Sequence, residues 1–127
     1  TLSEPEGIVK VVLVDGTNTT TTIIQKGYYT IDSSSVTAYT AVSGDQMLIN
    51  TTSNPVTITL PASPSTGDEV FILDARGTFA ANNVTVGRNG QPIMSNGSDL
   101  TLSTSGQTVS LVYVDSTRGW AYKEAYL

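Results

Sequence analysis

The 127-residue chain contains no histidine and no cysteine. Without imidazole there is no Ser-His-Asp or Cys-His relay, no histidine metal site and no side chain that changes charge near neutral pH. Without thiols there is no disulfide framework, thiolate nucleophile, zinc finger or iron–sulfur cluster, and cysteine usage says nothing about the redox compartment. Cations are scarce as well: 6 Lys and Arg against 11 Asp and Glu give a formal charge of −5 and a pI near 4.3. Those six are scattered, so the positive stripe that a phosphate backbone requires is missing and nucleic acid is not an expected partner. Long apolar runs are also lacking. The longest, such as Val11-Val12-Leu13-Val14 and Val70-Phe71-Ile72-Leu73, hold four residues, against the roughly 20 of a membrane-spanning helix, and no membrane insertion is expected. No basic segment followed by an apolar one opens the sequence, which implies that a targeting segment was removed or never present.

Ser and Thr make up more than a quarter of the chain, while the helix formers Ala, Leu, Glu and Lys are scarce. That balance favours β structure. Only 13% of residues are charged, below the roughly 25–35% usual for a soluble surface, so the exterior is either coated with hydroxyls and amides or covered by other subunits. No segment repeats apolar residues at helical spacing over three turns, whereas alternation with period two recurs throughout. The expectation is an all-β fold: an antiparallel sandwich or barrel, jelly-roll-like.

Strands are predicted at Ile8 to Val14, closed by Asp15-Gly16, and at Ile23-Ile24 and Tyr28 to Ile31. The Thr-rich run from Thr17 to Thr22 suits either an edge strand or a loop. A soft boundary at Asp32-Ser33-Ser34-Ser35 divides an arm or accessory hairpin, residues 1–35, from a compact unit, residues 36–127. There the turn signals fall at the spacing of a sandwich or barrel, and strands are predicted at Thr37 to Val42, Met47 to Asn50, Val56 to Leu60 and Glu69 to Asp74. Further strands are expected at Val84 to Val86, Leu100 to Leu102, Thr108 to Val114 and Trp120 to Glu124. Asn89-Gly90 reads as a type I′ hairpin turn leading to Pro92-Ile93-Met94, and Asn96-Gly97 as another turn. Glu69 to Asp74 and Thr108 to Val114 are apolar on both faces, which predicts central strands or strands at an interface.

Little in the chain suggests chemistry. Asp68-Glu69 is the one adjacent acidic pair, and neighbours on a strand point to opposite faces. Asp74, Asp99 and Asp115 sit at strand ends, where Asp builds turns. No Asp-x-Asp-x-Asp-Gly loop is present, so no metal or cofactor is assigned. Gly87-Arg88-Asn89-Gly90 lacks the lysine and helix of a phosphate loop. Arg76, Arg88 and Asn89 are candidate surface contacts on loop tips. Trp120, in a terminal strand, is expected to close the core rather than stack on sugar. Of Tyr28 and Tyr29 one ring should point outward, and Tyr29 is assigned as that exposed contact.

Several stretches together resemble a module that recurs in virion surface proteins of tailed bacteriophages, mostly tail fibres. They are Tyr39-Thr40-Ala41-Val42-Ser43-Gly44-Asp45; Val56 to Ser65 with Gly67-Asp68; Gly77 to Val86; Arg88-Asn89-Gly90 with Ile93; Asp99 to Leu102; Leu111-Val112-Tyr113; and Gly119-Trp120. The resemblance spans about two thirds of the chain and leaves residues 1–35 unmatched. It implies a non-enzymatic β module in a homotrimeric particle component, made in the host cytoplasm and sited on the virion surface. Its partners would be itself, other capsid or tail proteins and a host-surface glycan. Thr1 is also a residue that removal of an initiator Met would leave first, and a short gene product suits a capsid-decorating role. Ile8, Val9, Val11, Val12, Leu13 and Val14 form the candidate assembly strand, expected to join a neighbour's sheet or to dock on the particle. The alternative is a stand-alone carbohydrate-binding module.

Overall fold

The computed structural model describes residues 8–14, 19–25 and 27–127, with side chains described from residue 27 onward. Among these residues there are eleven strands and no helix. β1 (Ile8–Val14) and β2 (Thr19–Gln25) pair antiparallel, Ile8 opposite Gln25 and Val14 opposite Thr19, as a two-stranded sheet of their own. The Thr run is thus extended from Thr19 on. The Asp15-Gly16 turn lies outside the described residues, as do the side chains of Ile8, Val9, Val11, Val12, Leu13 and Val14.

A five-stranded sheet holds β3 (Tyr28–Asp32), β5 (Gln46–Asn50), β7 (Glu69–Asp74), β10 (Thr108–Asp115) and β11 (Gly119–Tyr126), in the order β11-β10-β7-β5-β3. A four-stranded sheet holds β4 (Ala38–Thr40), β6 (Val56–Thr59), β8 (Val84–Gly87) and β9 (Leu100–Leu102), in the order β4-β6-β8-β9. From Tyr28 to Gly87 the chain visits the two sheets in turn. Within each sheet the successive visits run parallel, Tyr28 beside Gln46 beside Phe71 in one and Thr57 beside Thr85 in the other. Parallel neighbours need a long crossover, and here each crossover is a strand of the opposite sheet. The result is three stacked coils. Direction then reverses: β9 runs antiparallel to β8, β10 to β7 and β11 to β10.

The expected antiparallel sandwich or barrel is corrected on two points. Both sheets are mixed, and neither closes on itself, since each ends in edge strands. The physical reason is that Gly and Asn turn signals mark where the chain reverses but not which strand it then pairs with. Asn89-Gly90 illustrates this. Both residues have positive φ (51° and 90°), and Gln91 N–H closes the turn on Arg88 C=O. Yet the chain does not return along β8, whose antiparallel partner is β9. Residues 92–94 form no ladder strand; Ile93 makes only isolated bridges, to Asn96 and Trp120. The tight turn in this segment centres on Met94 and Ser95 (φ 52° and 66°) rather than on Asn96-Gly97. It is imposed from outside: Met94 N–H donates to Trp120 C=O and Ser95 N–H to Arg118 C=O.

The inward residues of both sheets share one apolar cluster. Val56 and Ile58 of β6 and Leu60 just beyond it are buried, as their alternation predicts. β7 is the middle strand of its sheet, with Val70 and Ile72 fully buried and Phe71 and Leu73 half-buried on the other face. Trp120 is fully buried in the core, edge-on to Tyr113 with ring centroids 5.5 Å apart. Its indole N–H is buried without an acceptor, so the ring is held by packing.

β3, which the boundary after residue 35 would assign to the arm, is the edge strand of the five-stranded sheet, and its Ile31 is in the core. The serine run after it is a locked turn. Buried Ser33 donates its N–H to Asn50 C=O, while its Oγ accepts from the N–H groups of Ser53 and Asn54. One coil further on, Thr51 Oγ1 meets Thr78 Oγ1 at 2.7 Å, and Asn82 Nδ2 donates to Thr51 C=O at 2.8 Å. These bonds tie successive corners of the coils to one another.

Gly119 is the tightest backbone approach. It has φ +71°, and a Cβ there would lie 1.8 Å from Pro92 C=O, which accepts Trp120 N–H. Gly119→Ala should therefore destabilise the fold by more than about 1 kcal/mol; a denaturant midpoint equal to the parent's would contradict this close approach.

Candidate functional site

Several of the described aspartates are used as turn builders. Asp32 accepts from Ser34 N–H and Oγ–H, Asp68 from Ser65 N–H, Asp99 from Arg88 N–H, and Asp115 from Thr117 and Arg118 N–H. Asp74 carries the most: its two oxygens accept N–H groups from Arg76, Thr78, Phe79 and Gly106. Burial would raise the Asp74 pKa, but the four backbone donors outweigh it and hold the group below the usual carboxylate range. Among the described residues, no group of three or more Asp and Glu is arranged to hold a metal ion.

The predicted contact residues are not brought together. Tyr29 is not the exposed ring. Alternation along β3 sends it inward with Ile31 and leaves Tyr28 outside, 46% exposed. The Tyr29 hydroxyl donates to Tyr39 Oη at 2.8 Å, and Tyr39 in turn donates to Asp45 Oδ2 at 2.9 Å, which also accepts Val42 N–H. Burial first, then the bond with Tyr39 and the Asp45 charge, push the Tyr29 hydroxyl above its ordinary pKa. Arg76 is exposed just beyond the end of β7; the hydrogen bonds from Ser34 hold Asp32 below its ordinary pKa, and the Arg76 charge adds the smallest contribution. Arg88 follows β8 in the other sheet and is half-buried. Asn89, exposed at its backbone turn, donates Nδ2 to Leu60 C=O.

A groove of about 480 Å³ lies on the outer face of the five-stranded sheet. Strand register builds it. Tyr28 lies beside Gln46, Gln46 beside Phe71, Phe71 beside Ser110 and Ser110 beside Glu124, so one residue from each of five strands forms a row across the sheet. All five line the groove. Tyr28 and Phe71 meet edge to face, centroids 5.8 Å apart and planes at 77°. A register shift between Ser110 and Leu111 opens a bulge on β11, where Lys123 is the extra residue. Bulges re-aim side chains, and Lys123 Nζ reaches Glu69 Oε1 at 3.1 Å across the groove. Both side chains are about half exposed (54% and 42%), so the bond contributes little to stability.

The sequence marks Phe71 as outward-facing on a two-sided strand but gives no sign of this row, because the parallel pairings that align Tyr28, Gln46 and Phe71 join residues far apart in the chain. Comparison with protein-family models and with curated proteins returns no match for the chain.

Asp74 anchors the corner after β7, and its role can be measured. Because its folded pKa lies below the unfolded value of about 3.9, it stabilises the fold above about pH 4, and that contribution is lost as pH falls through the folded pKa. Asp74→Ala should cost about 2–3 kcal/mol at pH 7. Urea titrations of parent and variant should converge as the pH is lowered toward 2; a gap that stays constant with pH would sink this assignment.

Proposed function

We propose that the chain is a non-enzymatic structural component of a bacteriophage particle, a tail-fibre-type or capsid-decorating surface protein that works as a homotrimer in assembly, particle stabilisation or host attachment. In this reading the two sheets are the layers of a sandwich, a homotrimer is what the resemblance implies, and the segment before residue 28 supplies the contacts that hold the three copies together. The observation that supports an assembly role most directly is the β1–β2 ribbon. It pairs seven residues with seven and joins neither larger sheet. A lone two-stranded ribbon is marginal in water and needs a third strand or an apolar surface against it. β1 reads I-V-K-V-V-L-V, an apolar sequence with one charge. A copy of the same chain or a particle protein supplies what the ribbon lacks, through main-chain pairing at a free edge.

Because β1 and β2 pair with each other, the informative truncation removes both. Size-exclusion chromatography with light scattering should show a trimer for the full chain. Removal of residues 1–26 should give a monomer that keeps a β-type circular dichroism spectrum, less the contribution of β1 and β2, and a cooperative unfolding transition. A monomeric full chain, or a truncated chain that stays trimeric, contradicts the proposal. Imaging particles made with and without the protein tests the virion location directly.

A further inference from the structure

We propose that the segment between β8 and β9 carries a self-modification site. The Asn96 carboxamide cyclises onto the Gly97 backbone nitrogen and is hydrolysed to a carboxylate, while the Asn89-Gly90 pair, identical in sequence, is held unreactive by the fold. This inference needs neither the trimer nor the particle; it stands on the hydrogen bonding of the two loops. A glycine after asparagine favours the reaction, because it has no Cβ to keep its nitrogen away from the preceding side chain. Asn89 is locked. It is the first central residue of its turn, with φ 51°, and the bond from Gln91 N–H to Arg88 C=O closes that turn around the Asn89-Gly90 peptide. Its Nδ2 donates to Leu60 C=O at 2.9 Å, which ties the carboxamide to the chain just beyond β6. Asn96 is held differently. It follows the left-handed turn at Met94 and Ser95, and the bond from its Nδ2 to Met94 C=O is long, at 3.4 Å. Its main chain is bonded to Ile93 through both N–H and C=O. In a trans peptide the C=O and N–H point opposite ways, so an Asn96 C=O directed at Ile93 leaves the Gly97 nitrogen on the far side. Asn96, Gly97 and Ser98 are all exposed. Among the described residues no hydrogen bond holds Gly97 or Ser98, so the nitrogen can approach Asn96 Cγ without breaking one.

Water is the one co-reactant. Hydroxide takes the Gly97 amide proton, and the nitrogen forms a bond to Asn96 Cγ. The Cγ–Nδ2 bond then breaks; its electron pair leaves with Nδ2, which gains a proton from water and departs as ammonia. Water opens the resulting cyclic imide at Cγ, giving an aspartyl residue, or at the main-chain carbonyl, giving an isoaspartyl one. Either product replaces one neutral amide by one carboxylate and takes the formal charge from −5 to −6. The new charge falls in the segment where Asp99 already accepts Arg88 N–H. The isoaspartyl product also lengthens the main chain between two fixed points, the Ile93 bonds of Asn96 and the Arg88 bond of Asp99.

The test is incubation of the full chain in mildly alkaline buffer, folded or in guanidinium chloride, with peptide mapping by mass spectrometry over time. In the folded chain Asn96 should lose ammonia about tenfold faster than Asn89, the factor that one hydrogen bond adds to a barrier. In guanidinium chloride the two should react at similar rates. Gly97→Ala should slow the Asn96 reaction severalfold. That variant should keep its fold, since Gly97 has no positive φ and a Cβ there meets nothing within 4 Å; circular dichroism checks it, and the comparison of folded with denatured parent chain stands without it. Equal rates at the two sites in the folded chain, or a faster reaction at Asn89, would overturn the proposal. So would an Asn96 that stays intact when folded but reacts when denatured, or a folded Gly97→Ala variant that reacts as fast as the parent.

Discussion

Two strands that run the same way cannot be joined by a tight turn, and residues 28–87 are organised by that constraint. Each return to the five-stranded sheet passes through the four-stranded one, so neither sheet can form without the other. The core follows directly. Ile31, Met47, Ile49 and Ile72 from one sheet and Val56, Ile58, Val84 and Val86 from the other are buried in a single cluster because the chain threads both walls alternately. The corners carry the remaining burden. A backbone that turns at every crossing exposes N–H and C=O groups, and Ser33, Asp74 and Asn82 satisfy them with short polar side chains. The hydroxyl-rich, charge-poor composition fits this arrangement, since short hydroxyls and amides suit a stack of turns better than long charged side chains.

The same geometry separates the chain into parts with different chemistry. Inward faces are apolar, corners are hydrogen-bonded, and the outer face of the larger sheet mixes aromatic, aliphatic and charged groups in rows set by register. Acidic residues divide accordingly. Asp74, Asp68, Asp99 and Asp115 are committed to backbone donors, whereas Glu69 and Glu124 stand on the outer face beside Lys123.

Much of this was legible from the residues. Alternation located the strands at Glu69 to Asp74 and Leu100 to Leu102 and, to within one residue, the one begun at Val56, and the two-sided pattern of β7 marked a central position. A lone Trp in a terminal strand pointed to the core, and Asp at strand ends to turns. Strand direction was not legible, because an apolar–polar alternation is the same whether the neighbour runs up or down. The groove was hidden for the same reason: Tyr28, Gln46 and Phe71 become neighbours only through parallel register. Choosing between Tyr28 and Tyr29 required the phase of β3, which Ile31 sets by facing the core. The left-handed turn at Met94 and Ser95 had no local signal, since Trp120 and Arg118 impose it from another part of the chain.

The reversal after β8 leaves the stack with two unlike ends. At one, the bordering strands β9 and β11 run antiparallel to their neighbours and β11 is interrupted by register shifts, which discourage a further strand from adding. At the other, β3 is an unbroken parallel strand of five residues on the border of its sheet. Elongation of such a stack over evolutionary time, by inserting further coils that each contact only their neighbours, is therefore directional: new turns of chain can be accommodated upstream of the reversal, while the antiparallel strands remain as a fixed terminus.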